Sequence, residues 1–401
     1  MRTSLLSLII LSLFFACSGT TDPTSNDIVE DSSSYVILVS IDGFRYDYAE
    51  KFNAKNILAM KEAGTSSKAM IPSFPSKTFP NHYSIVTGMY PGTHGIVSNS
   101  FYSKSRDEEY SIGQPSVVDG SWYGGTPLWV LAEQNNMKAA SYFWVGSEAD
   151  IQGVKPTYYF NYDGKVPNAD RVTQVIDWLK MPKEERPQFI TLYFSEVDDM
   201  GHRFGPDGDE TKEAVLSIDE NIGTLRKGIA ESGLNVTLIV TSDHGMTSIN
   251  DGLSLDVDWR GGKAVFSSTN AFIFNDDPQA IEAIKSDLSE ISGISYYAKG
   301  EFPEHYHFDN DDRSGDLLIN IAPPRVFSRR ESITGGTHGF DPYAHTDMHT
   351  IFYVEGPQIK SNYEIESFEN VHIYPLIANI LELPIPSDID GNLNVLLPII
   401  K

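Results

Sequence analysis

Aspartate and histidine residues follow three apolar segments of the chain, and these residue types are common metal ligands. The run "VILVSI" ends at Asp42, "FITLYF" leads to Asp198 and His202, and "VTLIVT" leads to Asp243 and His244. In a parallel α/β sheet, ligands bind at the carboxyl ends of the strands. We therefore expect these side chains to lie close together, at one edge of a sheet.

A sixth candidate ligand is His338, which glycines flank in "TGGTHGF". Glycine lets a backbone segment approach a neighbouring group closely. Asp198 and His202 are four residues apart, so both can face one way on a helical turn. Gly245 permits a sharp bend directly after the adjacent aspartate–histidine pair.

The donor atoms of these six side chains are oxygen and nitrogen, without sulfur, which suits zinc in open catalytic sites. Six ligands are too many for one tetrahedral ion, so they indicate two Zn²⁺ ions that share a substrate. Each residue alone has a simpler explanation. Asp42 could cap a helix, Asp243 could cap a turn, and a single histidine is more often structural than a ligand. Their shared placement favours the metal hypothesis.

Thr78 in "FPSKTFPNHYSIVTG" places a hydroxyl at the predicted start of a helix, because Pro80 fits a first helical turn. A helix N-terminus favours negative charge. A threonine hydroxyl is a poor nucleophile at neutral pH unless a metal ion stabilises its alkoxide. The alternative is a simple helix cap, which serine or aspartate would serve equally.

Short apolar runs alternate with helix-like segments along most of the chain. This order predicts an α/β fold with a mostly parallel central sheet and helices on both faces. Residues 264–308 interrupt the pattern and predict a small inserted α+β subdomain. The predicted strands are 35–41, 189–194, 236–241, 316–322 and 350–356, and the predicted helices are 56–63, 123–135, 169–179 and 213–232.

The N-terminus reads as a targeting segment. Residues 1–16 predict a signal peptide, and the following Cys17 is the only cysteine. A small residue before cysteine resembles a bacterial lipoprotein signal, with lipid on Cys17; an ordinary secretory signal is the alternative. Residues 17–34 then form a polar tether and 35–401 the catalytic domain. We expect an exported protein, periplasmic or at the cell surface, anchored by lipid to a bacterial membrane.

The net charge of −25 excludes one class of partner. Duplex nucleic acid is bound by lysine and arginine that neutralise phosphates, and this chain has 55 acidic against 30 basic side chains. A small anion can still bind where cations reverse the local potential.

Six segments in this order resemble the nucleotide pyrophosphatase/phosphodiesterase family of the alkaline phosphatase superfamily: "SIDGFR", "FPSKTFPNHYSIVTGMYPGTHGIVSN", "FWVGSEAD", "VDDMGHRFGP", "SDHGM" and "GTHGF". The resemblance covers nearly all of residues 35–395 and implies an alkaline-phosphatase-like fold. It implies that one zinc is held by Asp42, Thr78, Asp243 and His244, and the other by Asp198, His202 and His338. Thr78 would be the nucleophile, and Asn99 would bind a non-bridging phosphate oxygen.

The same resemblance implies a nucleotide base stacked between Phe79 and Tyr162, with Tyr159 as a second candidate. Trp144 and Glu148 match positions that line this pocket. Lys77, beside the nucleophile, would supply a cation to the substrate if it faces the site. The family often has proline at position 145 and aspartate at position 148, so Val145 and Glu148 leave the choice of leaving group open.

The function implied is a zinc-dependent phosphodiesterase or nucleotide pyrophosphatase that works through a phospho-threonine intermediate. One alternative is a choline or lysophospholipid phosphodiesterase with the same metals. A phosphomonoesterase is another, and a non-catalytic binding lipoprotein is a third.

Overall fold

Apolar, β-branched runs form the central strands. The computed structural model describes residues 31–401, so the predicted signal peptide and Cys17 lie outside the described residues, and residues 33–401 form one unit. The strands are β1 (Ser34–Ile41), β2 (Thr65–Ser67), β3 (Met70–Ile71), β4 (Ser100–Ser103), β5 (Glu108–Ser111), β6 (Ala139–Tyr142), β7 (Tyr158–Tyr159), β8 (Phe189–Phe194), β9 (Asn235–Thr241), β10 (Thr247–Ser248), β11 (Asp251–Leu253), β12 (Lys263–Phe266), β13 (Asn270–Phe274), β14 (Ile294–Ala298), β15 (Leu317–Ile321), β16 (Arg325–Phe327), β17 (Gly336–Thr337), β18 (Phe352–Glu355), β19 (Tyr363–Ile365) and β20 (Phe368–Glu369).

Helices lie between these strands, as the alternating pattern predicts. They are α1 (Tyr48–Lys51), α2 (Lys55–Ala63), α3 (Thr78–Thr87), α4 (Pro91–His94), α5 (Leu128–Gln134), α6 (Asn168–Leu179), α7 (Glu196–Phe204), α8 (Asp209–Ser232), α9 (Pro278–Leu288), α10 (Ile373–Ile380) and α11 (Leu393–Leu396). The helix predicted at 123–135 begins late, at Leu128, because two glycines and Pro127 precede it and Pro127 occupies its N-cap.

The main sheet has eight strands in the order β19-β2-β18-β9-β1-β8-β6-β7. Five of its seven pairings are parallel, and only those of β18 with β9 and β2 are antiparallel. Side chains of β1 alternate between two cores: Val36 and Leu38 face one, and Ile37 and Val39 face the other. Helices therefore cover both faces, and the predicted fold class is confirmed.

A second, antiparallel sheet interrupts the main one, with the order β12-β13-β15-β14 and helix α9 packed beside it. The prediction that 316–322 belongs to the main sheet is wrong, because β15 pairs with β13 and β14. The inserted sheet consequently extends from Lys263 to Ile321, beyond the expected limit at 308. A short apolar run has no signature that distinguishes one sheet from another.

The strand order places the candidate residues side by side. β1 lies between β8 and β9, and all three run parallel. Their carboxyl ends therefore meet at one edge, where β1 leads to Asp42, β8 to α7, and β9 to Asp243. In residues 31–401, no helix combines the length and the apolar character needed to cross a bilayer.

Candidate active site

Thr78 is the first residue of α3, where the sequence predicts a helix start. The loop before it is held by Asn81, whose amide Nδ2 donates to the carbonyl oxygens of Pro75 and Lys77 at 3.0 and 2.9 Å. The Asn81 Oδ1 accepts from the backbone N–H of Ser73 at 2.7 Å. Because Asn81 is fully buried, these hydrogen bonds fix the position of the Thr78 hydroxyl.

Three of the predicted ligands surround the Thr78 hydroxyl. The Nε2 atom of His244 lies 3.3 Å from Thr78 Oγ1, 3.2 Å from Asp42 Oδ1 and 3.0 Å from Asp243 Oδ2. Gly43, at φ +70°, brings the chain after Asp42 so close to α7 that a Cβ there would lie 2.9 Å from the Asp198 Cα. The two aspartates thus lie beside His244, next to the Thr78 hydroxyl, as the strand ends predict.

The other three predicted ligands form a second group. His202 Nε2 lies 3.4 Å from Asp198 Oδ2, and His338 Nε2 lies 3.8 Å from Asp198 Oδ1. Asp198 and His202 share one face of α7, as their spacing predicts. The ligand atoms of Asp198, His202 and His338 all lie within 4.8 Å of one another, which is compatible with one metal ion.

The two groups are neighbours. The imidazole rings of His244 and His338 stack with centroids 3.4 Å apart. Asp42, Asp198 and His244 also bring ligand atoms within 4.8 Å of one another, so the carboxylates of the two groups adjoin.

A backbone carbonyl orients the imidazole of each candidate ligand. The Nδ1 atoms of His202, His244 and His338 donate to the carbonyl oxygens of Gly336, Gly245 and Ser76 at 2.9, 2.9 and 2.8 Å. This arrangement assigns the proton to Nδ1 and leaves the Nε2 lone pair toward the aspartates. Such outer hydrogen bonds are typical of metal-binding histidines.

Charge is concentrated and unbalanced at the site. Burial, and then the charge of Asp42, raises the pKa of Asp198 well above its usual range. Burial also lowers the pKa of His202 to about 4, so its ring is neutral at neutral pH. The buried atoms Asp42 Oδ1, Asp198 Oδ1 and Asp243 Oδ2 have no hydrogen-bond donor. A bound cation would satisfy all three, so these residues fit a metal site.

Two residues that the sequence analysis did not single out lie against the candidate ligands. His82 Nδ1 lies 2.9 Å from the Thr78 carbonyl oxygen and 3.3 Å from Asp243 Oδ2. Tyr193 donates its hydroxyl to Asp42 Oδ2. The available signal for His82 is its spacing of four residues from Thr78 along α3. Tyr193 carries no such signal, because it is one aromatic residue among several in a strand.

Lys77 does not line the cavity that opens beside Thr78, contrary to the expectation that it faces the site and supplies a cation to the substrate. Its Nζ donates to the His338 carbonyl oxygen at 2.8 Å and to Ser268 Oγ, in the inserted subdomain, at 3.1 Å. Burial lowers the pKa of this ammonium to about 7, against the opposing charge of Asp198. Gly339, at φ +109°, makes room for it, since a Cβ there would lie 2.2 Å from the Lys77 Cε.

A cavity of about 540 Å³ opens beside Thr78. Its lining includes Thr78, Phe79, Asn99, Trp144, Glu148 and Tyr162. The Asn99 Oδ1 accepts from the Phe79 N–H at 2.9 Å, so its NH₂ group is the part that can donate to a bound anion. Glu148 accepts from the Tyr162 N–H at 2.7 Å and so holds that residue at the cavity.

Tyr159 lies outside this cavity, although it was expected as a second residue that could stack on a nucleotide base. It belongs to edge strand β7, and its ring lies beside Lys155 Nζ, 5.2 Å from the centroid. Tyr162, three residues later, has its ring 5.1 Å from that of Phe143 and is 53 % exposed. The path of the chain after β7 brings Tyr162 to the cavity and leaves Tyr159 outside it.

The buried Asp198 carboxylate oxygen without a donor leads to a prediction for the variant Asp198→Asn. In the metal-free protein at pH 7–8 the variant should be more stable by about 1–3 kcal/mol, because a buried carboxylate without a donor is removed. The sign follows from the raised pKa, since ionisation of Asp198 above its unfolded pKa costs folding free energy. With excess Zn²⁺ the variant should lose most of the metal-induced stabilisation, which is about 2.7 kcal/mol at 100 times Kd.

Thermal unfolding with EDTA and with Zn²⁺ checks this prediction. Asp199→Asn is the matched control, because Asp199 is exposed and belongs to none of the candidate metal groups. It should keep the metal-induced rise in Tm. Equal metal-induced shifts in wild type and Asp198→Asn would contradict the assignment of Asp198 as a ligand.

Several proteins of known name are similar to this chain in sequence. Residues 36–341 match the family described as type I phosphodiesterase / nucleotide pyrophosphatase. Venom phosphodiesterase CdcPDE of Crotalus durissus collilineatus is 35% identical over 91% of this chain and 46% of its own length. Ectonucleotide pyrophosphatase/phosphodiesterase family member 1 of Mus musculus is also 35% identical, over 92% of this chain and 43% of its own. The chain thus spans less than half the length of these curated relatives.

A solved structure agrees closely with the fold. Murine ectonucleotide pyrophosphatase/phosphodiesterase 5, as an inactive threonine-to-alanine variant in complex with AMP, superimposes with a TM-score of 0.86 at 27% identity. The match covers 92% of this chain and 100% of that one. From its sequence, its fold and the grouping of its aspartates and histidines, this chain belongs to the type I phosphodiesterase / nucleotide pyrophosphatase family.

Proposed function

We propose that this protein is a zinc-dependent phosphodiesterase that hydrolyses nucleotide phosphodiester or pyrophosphate bonds through a phospho-threonine intermediate. The observation that carries the proposal is the position of Thr78 Oγ1, at a helix N-terminus and 3.3 Å from His244 Nε2. Beside it stand two adjoining aspartate–histidine groups with unsatisfied buried oxygens.

The proposed cofactors are two Zn²⁺ ions per chain. Oxygen and imidazole donors without sulfur suit zinc. One ion would be held by Asp42, Asp243, His244 and Thr78, and the other by Asp198, His202 and His338. When bound, two neighbouring Zn²⁺ ions would stabilise the attacking and the leaving oxygen of an in-line displacement.

The chain's own residues perform the displacement in two steps. Thr78 Oγ1 gives its proton to water and bonds to phosphorus, while the bond from phosphorus to the leaving oxygen breaks and that oxygen takes a proton from solvent. Asn99 donates its NH₂ to a non-bridging oxygen, and the N-terminal end of α3 stabilises the added negative charge. A water oxygen then bonds to phosphorus, the bond to Thr78 Oγ1 breaks, and the proton released by the water restores the Thr78 hydroxyl. Tyr193 keeps Asp42 in position by a hydrogen bond, and His82 ties the Thr78 carbonyl to the region beside Asp243.

The aromatic side of the cavity supports a nucleotide substrate. Phe79 and Tyr162 both line it, and aromatic rings bind any base by stacking. Trp144 lies deeper and donates its Nε1–H to the His82 carbonyl oxygen at 3.0 Å, so the cavity wall is tied to α3. The bound AMP of the murine structure belongs to a protein of the same fold.

Substitution of Thr78 tests the nucleophile. Thr78→Ala should lower kcat by roughly 1,000-fold or more, because no other hydroxyl replaces the attacking oxygen. Thr78→Ser is the matched control and should retain measurable turnover. The assay compares the p-nitrophenyl ester of thymidine 5′-monophosphate with p-nitrophenyl phosphate, in the presence of zinc. Unchanged hydrolysis by Thr78→Ala would exclude Thr78 as nucleophile, and faster turnover of the monoester would exclude the diesterase.

Two nearby tyrosines offer a test of base stacking. Tyr162→Ala should raise KM for the nucleotide ester about tenfold, since stacking on one base contributes about 1–3 kcal/mol. Tyr159→Ala removes a ring outside the cavity and should leave KM unchanged. An unaltered KM in Tyr162→Ala would favour the choline or lysophospholipid diesterase, whose substrate has no base.

We also propose that the protein is exported and anchored by lipid on Cys17. The support is the apolar leader followed by Ala16 and Cys17. In a bacterial host, the wild-type protein should sediment with membranes, and Cys17→Ser should move to the soluble fraction. Equal partition of the two would exclude the lipid anchor.

A further inference from the structure

Two loops of the candidate active site are joined through Ser76 and Lys77, directly before the nucleophile. Ser76 Oγ donates to the Phe340 carbonyl oxygen at 2.7 Å and accepts from the Gly339 N–H at 3.1 Å. The Ser76 carbonyl oxygen accepts from His338 Nδ1 at 2.8 Å. Lys77 Nζ donates to the His338 carbonyl oxygen, also at 2.8 Å. Four hydrogen bonds therefore connect the loop before the nucleophile to the loop that carries this candidate ligand.

Lys77 also reaches a third segment, which belongs to the inserted subdomain. Its Nζ donates to Ser268 Oγ at 3.1 Å, in the turn that connects β12 to β13. Ser268 is itself held in place, because its carbonyl oxygen accepts from the Phe327 N–H at 2.8 Å. The ammonium group of Lys77 thus bridges the inserted subdomain and the loop that carries His338.

The surroundings of the Lys77 side chain leave it little room to move. The residue is 5 % exposed. It lies against the bare backbone of Gly339, where a Cβ would be 2.2 Å from Lys77 Cε and 2.4 Å from Thr269 Oγ1. Burial of an ammonium group costs free energy that burial of an apolar side chain of similar length would not. Packing alone therefore does not account for a lysine here, whereas its two hydrogen bonds are contacts that an apolar residue could not make.

We propose that Lys77 is a positioning residue, which holds His338 at a fixed distance from the Thr78 hydroxyl by anchoring both to the inserted subdomain. This inference rests on the proposed two-zinc phosphodiesterase function. Thr78 follows Lys77 directly in the chain, so one side chain constrains both the nucleophile of the first group and a ligand of the second. The inserted subdomain supports the geometry between the two groups, although none of residues 263–321 lines the cavity.

The charge of Lys77 alone would have the opposite effect on metal binding. Burial, and then the charges of His244 and Lys77, lower the pKa of His338 well below its usual range, so the ammonium group acts on this ring. A cation so placed repels a metal ion at the same imidazole. Removal of Lys77 would strengthen zinc binding if only its charge mattered, and would weaken it if its hydrogen bonds position His338.

The substitution Lys77→Met separates these two effects, because methionine keeps most of the length of lysine but has neither its charge nor its donors. Bound zinc per chain is measured for wild type and variant at a series of buffered free Zn²⁺ concentrations. We expect the second zinc ion to bind at least about tenfold more weakly in Lys77→Met, since a hydrogen-bond partner of a ligand residue is lost. The kcat for the p-nitrophenyl nucleotide ester should fall about 10- to 100-fold, with KM changed by less than about twofold, because the stacking residues are untouched.

Two further variants locate the effect. Ser268→Ala removes one of the two acceptors of Lys77 and should weaken binding of the second zinc ion in the same direction, by about two- to tenfold. Lys104→Met is the matched control, since Lys104 also joins the inserted subdomain to the rest of the chain, through Asp276 and Asp316 at 2.8 Å, away from the candidate ligands. It should bind two zinc ions as wild type does, even where its Tm is lower.

Two outcomes would overturn the inference. One is zinc binding in Lys77→Met that equals or exceeds that of wild type, which would leave the residue only its charge effect. The other is the same zinc loss in Lys104→Met, which would indicate a general effect of attaching the inserted subdomain. Thermal unfolding in EDTA shows whether each variant folds, and Ser268→Ala decides the question if Lys77→Met does not. Fewer than two zinc ions in wild type, or no cleavage of the nucleotide ester by it, would instead reject the proposed function.

Discussion

Three carboxylates buried at the ends of adjacent strands are the constraint on which the rest of the structure depends. Asp42, Asp198 and Asp243 meet because β1 lies between β8 and β9 and all three strands are parallel. Each has a buried oxygen without a donor. Such a cluster is unfavourable unless cations occupy it, so folding alone prepares the site for metal.

The surrounding chain holds this cluster from several directions. Backbone carbonyls orient the three candidate ligand imidazoles, Tyr193 donates to Asp42, and His82 lies 3.3 Å from Asp243 Oδ2. The inserted subdomain takes part as well, through the hydrogen bond from Lys77 to Ser268. The inserted subdomain contacts the loops that carry Thr78 and His338, and its residues do not line the cavity.

The lining of the cavity has aromatic and polar portions. On one side Phe79 and Tyr162 provide aromatic surfaces. Ser195 and Asp199 line both this cavity and a neighbouring polar cleft. The family relationship bears on the reaction type.

The sequence by itself determined the strands that end in aspartate, the helix that starts at Thr78, and the spacing that puts Asp198 beside His202. These features are local, since they depend on residue type and on periods of two to four residues. Only the tertiary structure decided that β15 belongs to the inserted sheet, that Tyr162 and not Tyr159 reaches the cavity, that Lys77 points away from it, and that His82 and Tyr193 support the ligands. Those outcomes depend on which distant segments pack together, and side-chain direction is set by that packing rather than by the local pattern.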